Sequence, residues 1–285
     1  MKINWLSAVD PNNQQELLRL QQRMAEFYTS NGNYFKDISF NENIWSDRTQ
    51  LVQADLVNEL MGKRAILEVG CGTASILKAH PALAPFYTGL DFSPTLMAEN
   101  KIQQPAATFV AFEQPTRFPL PSQGFDAVFS HFVIEHVVFP HLFLDECLRV
   151  LRPGGTLMIV CPDFLGTNHM TSQRTGWGPG TGREKLSKGK ILDALVTGWD
   201  ARIRVPNRCR VLRRQIASSY RFMVNVDPTC FTDPFMPDVD AVYVTYQKEI
   251  KNYTKPTIRW AELRTSLLNF AHQKRILFLK GIKGS

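Results

Sequence analysis

The chain has 285 residues, 44% hydrophobic and 21% charged, the make-up of a globular fold with one substantial core. It holds no apolar run of the roughly 18–20 residues needed to cross a bilayer and no basic start with an apolar stretch of the secretory kind; five scattered cysteines without a C-x-x-C pair argue against zinc or a disulfide framework and fit a reducing cytoplasm. The net charge of +7 is uneven, because residues 164–219 carry eleven Lys or Arg against three acids, an excess that attracts anions.

Leu17, Leu18, Leu20, Met24 and Phe27 recur at spacings near three and four, which predicts an amphipathic helix over 13–29. A second helix is expected over 46–61, with Ser46 or Asp47 as its cap. An apolar strand at 65–69 then meets a glycine turn, followed by a helix over 73–80. Further strands are expected at 86–91, 108–112, 125–130 and 156–161. Helices are expected from Pro94 to about 103 and over 140–151, with Arg152-Pro153-Gly154-Gly155 as a turn.

Short apolar strands alternating with helices predict parallel βαβ units, hence an α/β, Rossmann-like, doubly wound sheet. Residues 164–219 break that rhythm and read as an insertion above the sheet, with a helix near 188–199. Two strands at 220–226 and 241–247 and a basic helix over about 257–277 complete the pattern, with a frayed tail from Lys280. Within that tail region Ile276–Leu279, flanked by basic residues, reads either as packing against the core or as contact with a membrane surface. The expected division is a helical lid over 1–60, a core over 61–163, a basic cap over 164–219, and the last two strands with a C-terminal helix over 220–285.

The chemistry centres on Ile66-Leu67-Glu68-Val69-Gly70-Cys71-Gly72-Thr73, where the first strand becomes a helix. Two glycines there allow a tight turn and close approach to a ligand. Asp91 ends the next strand, 19 residues beyond Gly72, where an acid can accept from both ribose hydroxyls of a nucleoside. Position 75 is serine, so the dinucleotide pattern G-x-G-x-x-G is incomplete, and no P-loop is present. Glu68 would oppose a diphosphate but suits a ligand carrying an ammonium and a sulfonium. S-adenosylmethionine carries both.

With these residues the sequence closely resembles the class I S-adenosylmethionine-dependent methyltransferase family over about residues 64–162. The matching segments run in order: Leu67–Thr73, Gly89-Leu90-Asp91-Phe92-Ser93, Phe118-Pro119-Leu120-Pro121 with Gly124–Val128, Val133-Ile134-Glu135-His136-Val137, and Leu148–Gly155. The resemblance implies a seven-stranded sheet with the last strand antiparallel, and S-adenosylmethionine as cofactor. It implies that Glu68, Gly70, Cys71 and Gly72 line the methionine part and sulfonium, that Asp91 binds the ribose and that Phe92 packs on the adenine. The position after strand three that meets the adenine amine is Gln114, with Glu113 beside it. Ser130 and His131 should lie near the reacting methyl, and His131 and His136 are the two candidate bases. Relatives that bind a metal use a glutamate where Phe132 stands, so no metal is expected.

Tyr28 and Tyr34 are candidate lid residues over the acceptor, and Arg210, Arg213 and Arg214 candidate contacts to its negative charge. The expected function is methylation, by preference at oxygen, of a small-molecule or glycan acceptor that is anionic or hydroxylated. RNA methylation and non-catalytic cofactor binding stand as alternatives. A nucleic-acid acceptor is the weaker of the first two, because no RNA-binding module and no N/D-P-P-Y/F/W tetrapeptide is present.

Overall fold

Residues Ile66–Val69 are apolar but for Glu68, and all four are buried, so this strand (β2) must be covered on both faces. Its neighbours follow the same rule. The computed structural model describes residues 4–30, 52–112, 117–165, 182–215, 220–231, 240–261 and 276–284. Strands β1 (Trp5–Ser7), β3 (Tyr87–Asp91), β4 (Thr108–Ala111), β5 (Phe125–His131), β6 (Leu151–Pro162), β7 (Met223–Asn225), β8 (Ile258–Trp260) and β9 (Ile276–Lys283) join β2. Seven of them form one sheet in the order β4-β3-β2-β5-β6-β9-β8. The pairs from β4 through β6 are parallel, and β9 runs antiparallel to both β6 and β8. This is the expected α/β Rossmann-like sheet with its last strand reversed.

Side chains alternate between two cores, one on each face. Leu67, Val69, Val128, Leu157 and Ile159 enter the first, packed under α1 (Gln14–Ser30) and α5 (Pro140–Val150). Ile66, Phe129, Met158, Val160 and Phe278 enter the second, under the helix over 52–60 (α2), α3 (Ser75–Ala79) and α4 (Pro94–Gln103). The helix expected over 13–29 is present because Leu17, Leu20 and Met24 form one fully buried stripe.

Three parts of the sheet differ from expectation. Strand β6 begins at Leu151, so Arg152-Pro153-Gly154-Gly155, expected as a turn, lies within it. Residues 223–225 do form a strand, but β7 pairs with β1 in a separate two-stranded sheet. Residues 241–247 contribute a single bridge, Val224 to Tyr243; their apolar character serves burial of an extended strap. The last two strands of the main sheet lie instead at 258–260 and 276–283. The expected C-terminal helix begins as strand β8, and its remainder at 262–275 falls outside the described residues. Ile276–Leu279 is buried strand paired with β6, and Gly281–Lys283 continue it between β6 and β8, which removes the membrane-contact reading and the frayed tail. A short apolar run has the same hydrophobic signature in a buried helix and a buried strand.

The insertion is helical: α6 (Gly182–Ser187), α7 (Ile191–Trp199), one π-helical stretch (Asp200–Arg204) and α8 (Val205–Gln215). Val205 and Cys209 bind α8 to Trp5, Met223, Ala241 and Val244 in a third, smaller core. α9 (Gln247–Thr254) follows the strap.

Candidate functional site

At the carboxyl end of β2 the chain turns through left-handed backbone, with Gly70 at φ 75° and Gly72 at φ 49°. The two differ in surroundings. A Cβ on Gly70 would strike the Val133 methyls at 2.5 Å, so that glycine lets the β5–α5 link close over the turn. A Cβ on Gly72 would meet nothing within 4 Å among the described residues, which leaves that side of the turn open. The Gly70 and Cys71 amides both donate to the Leu90 carbonyl, at 2.7 and 3.1 Å, and tie the turn to β3.

Asp91 sits at the end of β3 and is buried. Its Oδ2 accepts from the Gly72 amide at 2.9 Å and its Oδ1 from the Ser93 amide at 3.2 Å. Each oxygen keeps acceptor capacity for a further donor. Burial raises its pKa above the ordinary carboxylate value, and the amides of Gly72, Ser93 and Phe92 pull it back.

Three supporting residues escaped the sequence reading. The Tyr87 hydroxyl donates to Glu68 Oε2 inside the sheet, and burial, followed by the Glu68 charge, pushes that phenol's pKa well up. Asn100, buried on α4, donates to the Gly72 carbonyl at 2.7 Å and clamps the turn from below. Gly89 leaves room for the Cys71 thiol, since a Cβ there would lie 2.7 Å from Sγ. Of these, only Gly89 carried a readable signal, a glycine inside a strand. Cys71 is buried, and burial raises its thiol pKa well above normal, so it is a packing group at neutral pH.

The opposite wall comes from α1, the β5–α5 link and the strap. The Tyr28 ring lies 5.0 Å from that of Phe92, centroid to centroid, and its hydroxyl donates to Asp240 Oδ2 at 2.8 Å. His136 Nδ1 lies 3.2 Å from the same carboxylate oxygen. The Glu135 carbonyl accepts from the amides of Val242 and Tyr243, both at 2.8 Å, and staples the Glu135-His136 segment to the strap. Tyr28, Phe92, His136 and Asp240 thus form one cluster beside the turn. Asp240 was not anticipated, because its partners are 212 and 104 residues away in the chain. The Ser130 hydroxyl and His131 Nε2 are buried with no hydrogen-bond partner among the described residues. Burial pushes the His131 pKa down to about 4, which leaves a neutral imidazole at pH 7. Tyr34, Glu113 and Gln114 lie outside the described residues.

Arg210, Arg213 and Arg214 gather elsewhere, with Arg221, Cys209 and Tyr246, around a pocket of about 490 Å³. The Arg213 guanidinium stands 4.7 Å from the Tyr246 ring centre, and Arg221 Nε donates to the Arg213 carbonyl at 2.7 Å. An acid close by, Glu249, lies 4.0 Å from Arg213 and already accepts from the amides of Arg221 and Phe222. The strap joins the two places, running from Asp240 beside the turn to Tyr246 at the pocket. Among the described residues no group of three or more metal-ligating side chains occurs, and no helix is long and apolar enough to cross a membrane.

The family model described as a methyltransferase domain matches residues 67–159. A protein of Mycolicibacterium smegmatis named "probable S-adenosylmethionine-dependent methyltransferase" is 32% identical over 124 residues, covering 44% of this chain and 48% of its own. Trans-aconitate 2-methyltransferase of Escherichia fergusonii is 30% identical over 133 residues, 43% of this chain and 50% of that one. The chain spans about half the length of the curated relatives it matches. Among solved structures, the Burkholderia thailandensis 1,6-didemethyltoxoflavin-N1-methyltransferase with bound S-adenosylhomocysteine superposes with a TM-score of 0.52 at 13% identity. That match covers 97% of this chain and 92% of that one, and at such identity it speaks to the fold alone. Over residues 67–159 the chain is thus similar to the methyltransferase-domain family, and its sheet order and glycine turn agree with that likeness.

Proposed function

We propose that this chain transfers a methyl group from S-adenosylmethionine to a small-molecule or glycan acceptor, by preference at an oxygen. The observation that carries the reading is Asp91: a buried carboxylate, held by the Gly72 and Ser93 amides, beside a glycine whose outer side is open. The chain fits the cofactor on its own chemistry. Asp91 has acceptor capacity for ribose hydroxyls, and Glu68 offers negative charge on the same turn to a cationic amino-acid end. Gly70, Cys71 and Gly72 would line that end, and Phe92, braced by Tyr28, would cover the adenine. When bound, the cofactor supplies an electrophilic methyl on sulfur.

The protein's part is alignment and exclusion of water, with a base where the acceptor hydroxyl is weakly acidic. His136 suits that role better than His131. It faces Asp240, a carboxylate able to orient the ring and stabilise its protonated form, whereas His131 is too weak a base near pH 7 to hold a proton. His131 and Ser130 then line the floor near the methyl as hydrogen-bonding groups. The arginine pocket supports an anionic acceptor, because guanidinium groups pair well with carboxylates and phosphates and the local acid is already engaged. Incubating the chain and isotopically labelled S-adenosylmethionine with cell extracts should yield labelled small molecules by mass spectrometry, with the label lost in His136→Gln. Label found only in RNA, or in no product at all, would reject this reading.

A further inference from the structure

The outward face of the insertion carries an apolar stripe that the methyl-transfer reading does not use. Leu192, Leu195, Trp199 and Ile203 recur at spacings of three and four and lie on one side of the helix running through α7 into the π-helical stretch. Leu192 is 74% exposed, Leu195 65% and Trp199 52%, values at odds with ordinary helix packing. Ile191 and Leu186 are exposed beside them. The opposite side of the same helix is committed to the protein. Ala194, Thr197 and Asp200 are buried, and Lys185 Nζ donates to Thr197 Oγ1 at 2.9 Å, fixing α6 against α7. Rotating the stripe inward would therefore break an existing interface.

Charge shows what covers the stripe. Lys188, Lys190, Arg202 and Arg208 are exposed around it, and Arg210 and Arg214 continue the basic surface along α8. Of the nearby acids, Asp200 is buried and paired with Arg204, while Glu184 on α6 and Asp193 on α7 are outnumbered by the surrounding basic residues. A second copy of this chain would bring the same positive charges against each other. An anionic bilayer matches both halves of the pattern: leucines and a tryptophan at the depth of the headgroups, lysines and arginines against the lipid phosphates.

We propose that the outward face of α7 and the π-helical stretch, through Leu192, Leu195, Trp199 and Ile203, docks the protein on an anionic membrane surface. This stands independently of the methyl-transfer reading, since neither the glycine turn nor Asp91 takes part. The test is co-sedimentation of the full chain with large unilamellar vesicles of phosphatidylcholine, alone or with 30% phosphatidylglycerol. Binding is expected to the anionic vesicles only, to fall at least tenfold in Leu192→Gln/Leu195→Gln, and to weaken in 0.5 M salt. Those substitutions are at exposed positions, so thermal unfolding should be unchanged. Vesicle addition should also shift tryptophan emission to the blue in the native chain and not in Trp199→Phe. Absence of binding to anionic vesicles, or equal binding by the double variant, would overturn the proposal. So would a dimer in sedimentation velocity that the same substitutions dissociate, which would assign the stripe to a second copy.

Discussion

Asp91 and Glu68 were legible in the sequence, and the residues that hold them were not. A carboxylate at a strand end and a glycine pair at a strand-to-helix turn occupy fixed positions in a local pattern. Tyr87 and Asn100 act across the sheet and from a helix, and nothing in their own neighbourhoods marks them. Tyr87 fixes Glu68, and Asn100 fixes the Gly72 turn whose amide holds Asp91. Tyr87→Phe removes the donor to a buried carboxylate oxygen while keeping the ring's packing. On the proposed reading it should weaken S-adenosylhomocysteine binding by about 1–2 kcal/mol, roughly tenfold. Calorimetry showing unchanged affinity would separate Glu68 from the cofactor. His131 shows the limit of residue-type reasoning from the other side. Histidine is the usual neutral-pH base, yet this one is driven out of that range by burial alone.

At the scale of elements, the family segments explain one another. Phe118-Pro119-Leu120-Pro121 has no regular structure, and Arg149 on α5 holds it. The Arg149 guanidinium donates to the carbonyls of Phe118 and Leu120 at 3.0 and 2.9 Å, and to Glu146 at 2.7 Å, while Glu146 accepts from the Phe118 amide. The charge of Arg149 helps hold Glu146 below the ordinary carboxylate range, against the opposing effect of burial. Arg149→Met should therefore strand carbonyls and a partly buried carboxylate, costing about 2–3 kcal/mol. Urea unfolding of the two proteins measures this directly, and a change below about 0.5 kcal/mol would mean that the clasp is solvent-screened. Arg152 does similar work beside it, pairing with Asp126, which also caps the amides of Arg64 and Ala65. The sequence shows such motifs as separate words, and only the fold reveals which pairs clasp.

For the whole molecule, strands β2 to β5 and the apolar part of β6 were readable because each is a short apolar run, while the start of β6 was hidden in the Arg152-Pro153-Gly154-Gly155 segment. The final pair was not. Residues 220–226 and 241–247 have strand-like composition, but the first pairs with the N-terminal strand and the second packs as a strap. Strand choice there depends on tertiary partners, the β1–β7 pair being more than 200 residues apart, beyond the reach of local periodicity. The strap carries consequences for function, since it delivers Asp240 to Tyr28 and His136 at one end and Tyr246 to the arginine pocket at the other. The strap thereby links the glycine turn's surroundings to the arginine pocket.

The central claim is that the turn after β2 and the carboxylate ending β3 hold a sulfonium nucleoside. It is tested most directly by calorimetric titration of S-adenosylhomocysteine into the native chain and into Asp91→Ala. Saturable one-site binding by the native chain, weakened by about 1–3 kcal/mol in the variant while its thermal unfolding stays cooperative, is the expected result. Equal affinity in both proteins, or no binding by the native chain, would contradict it.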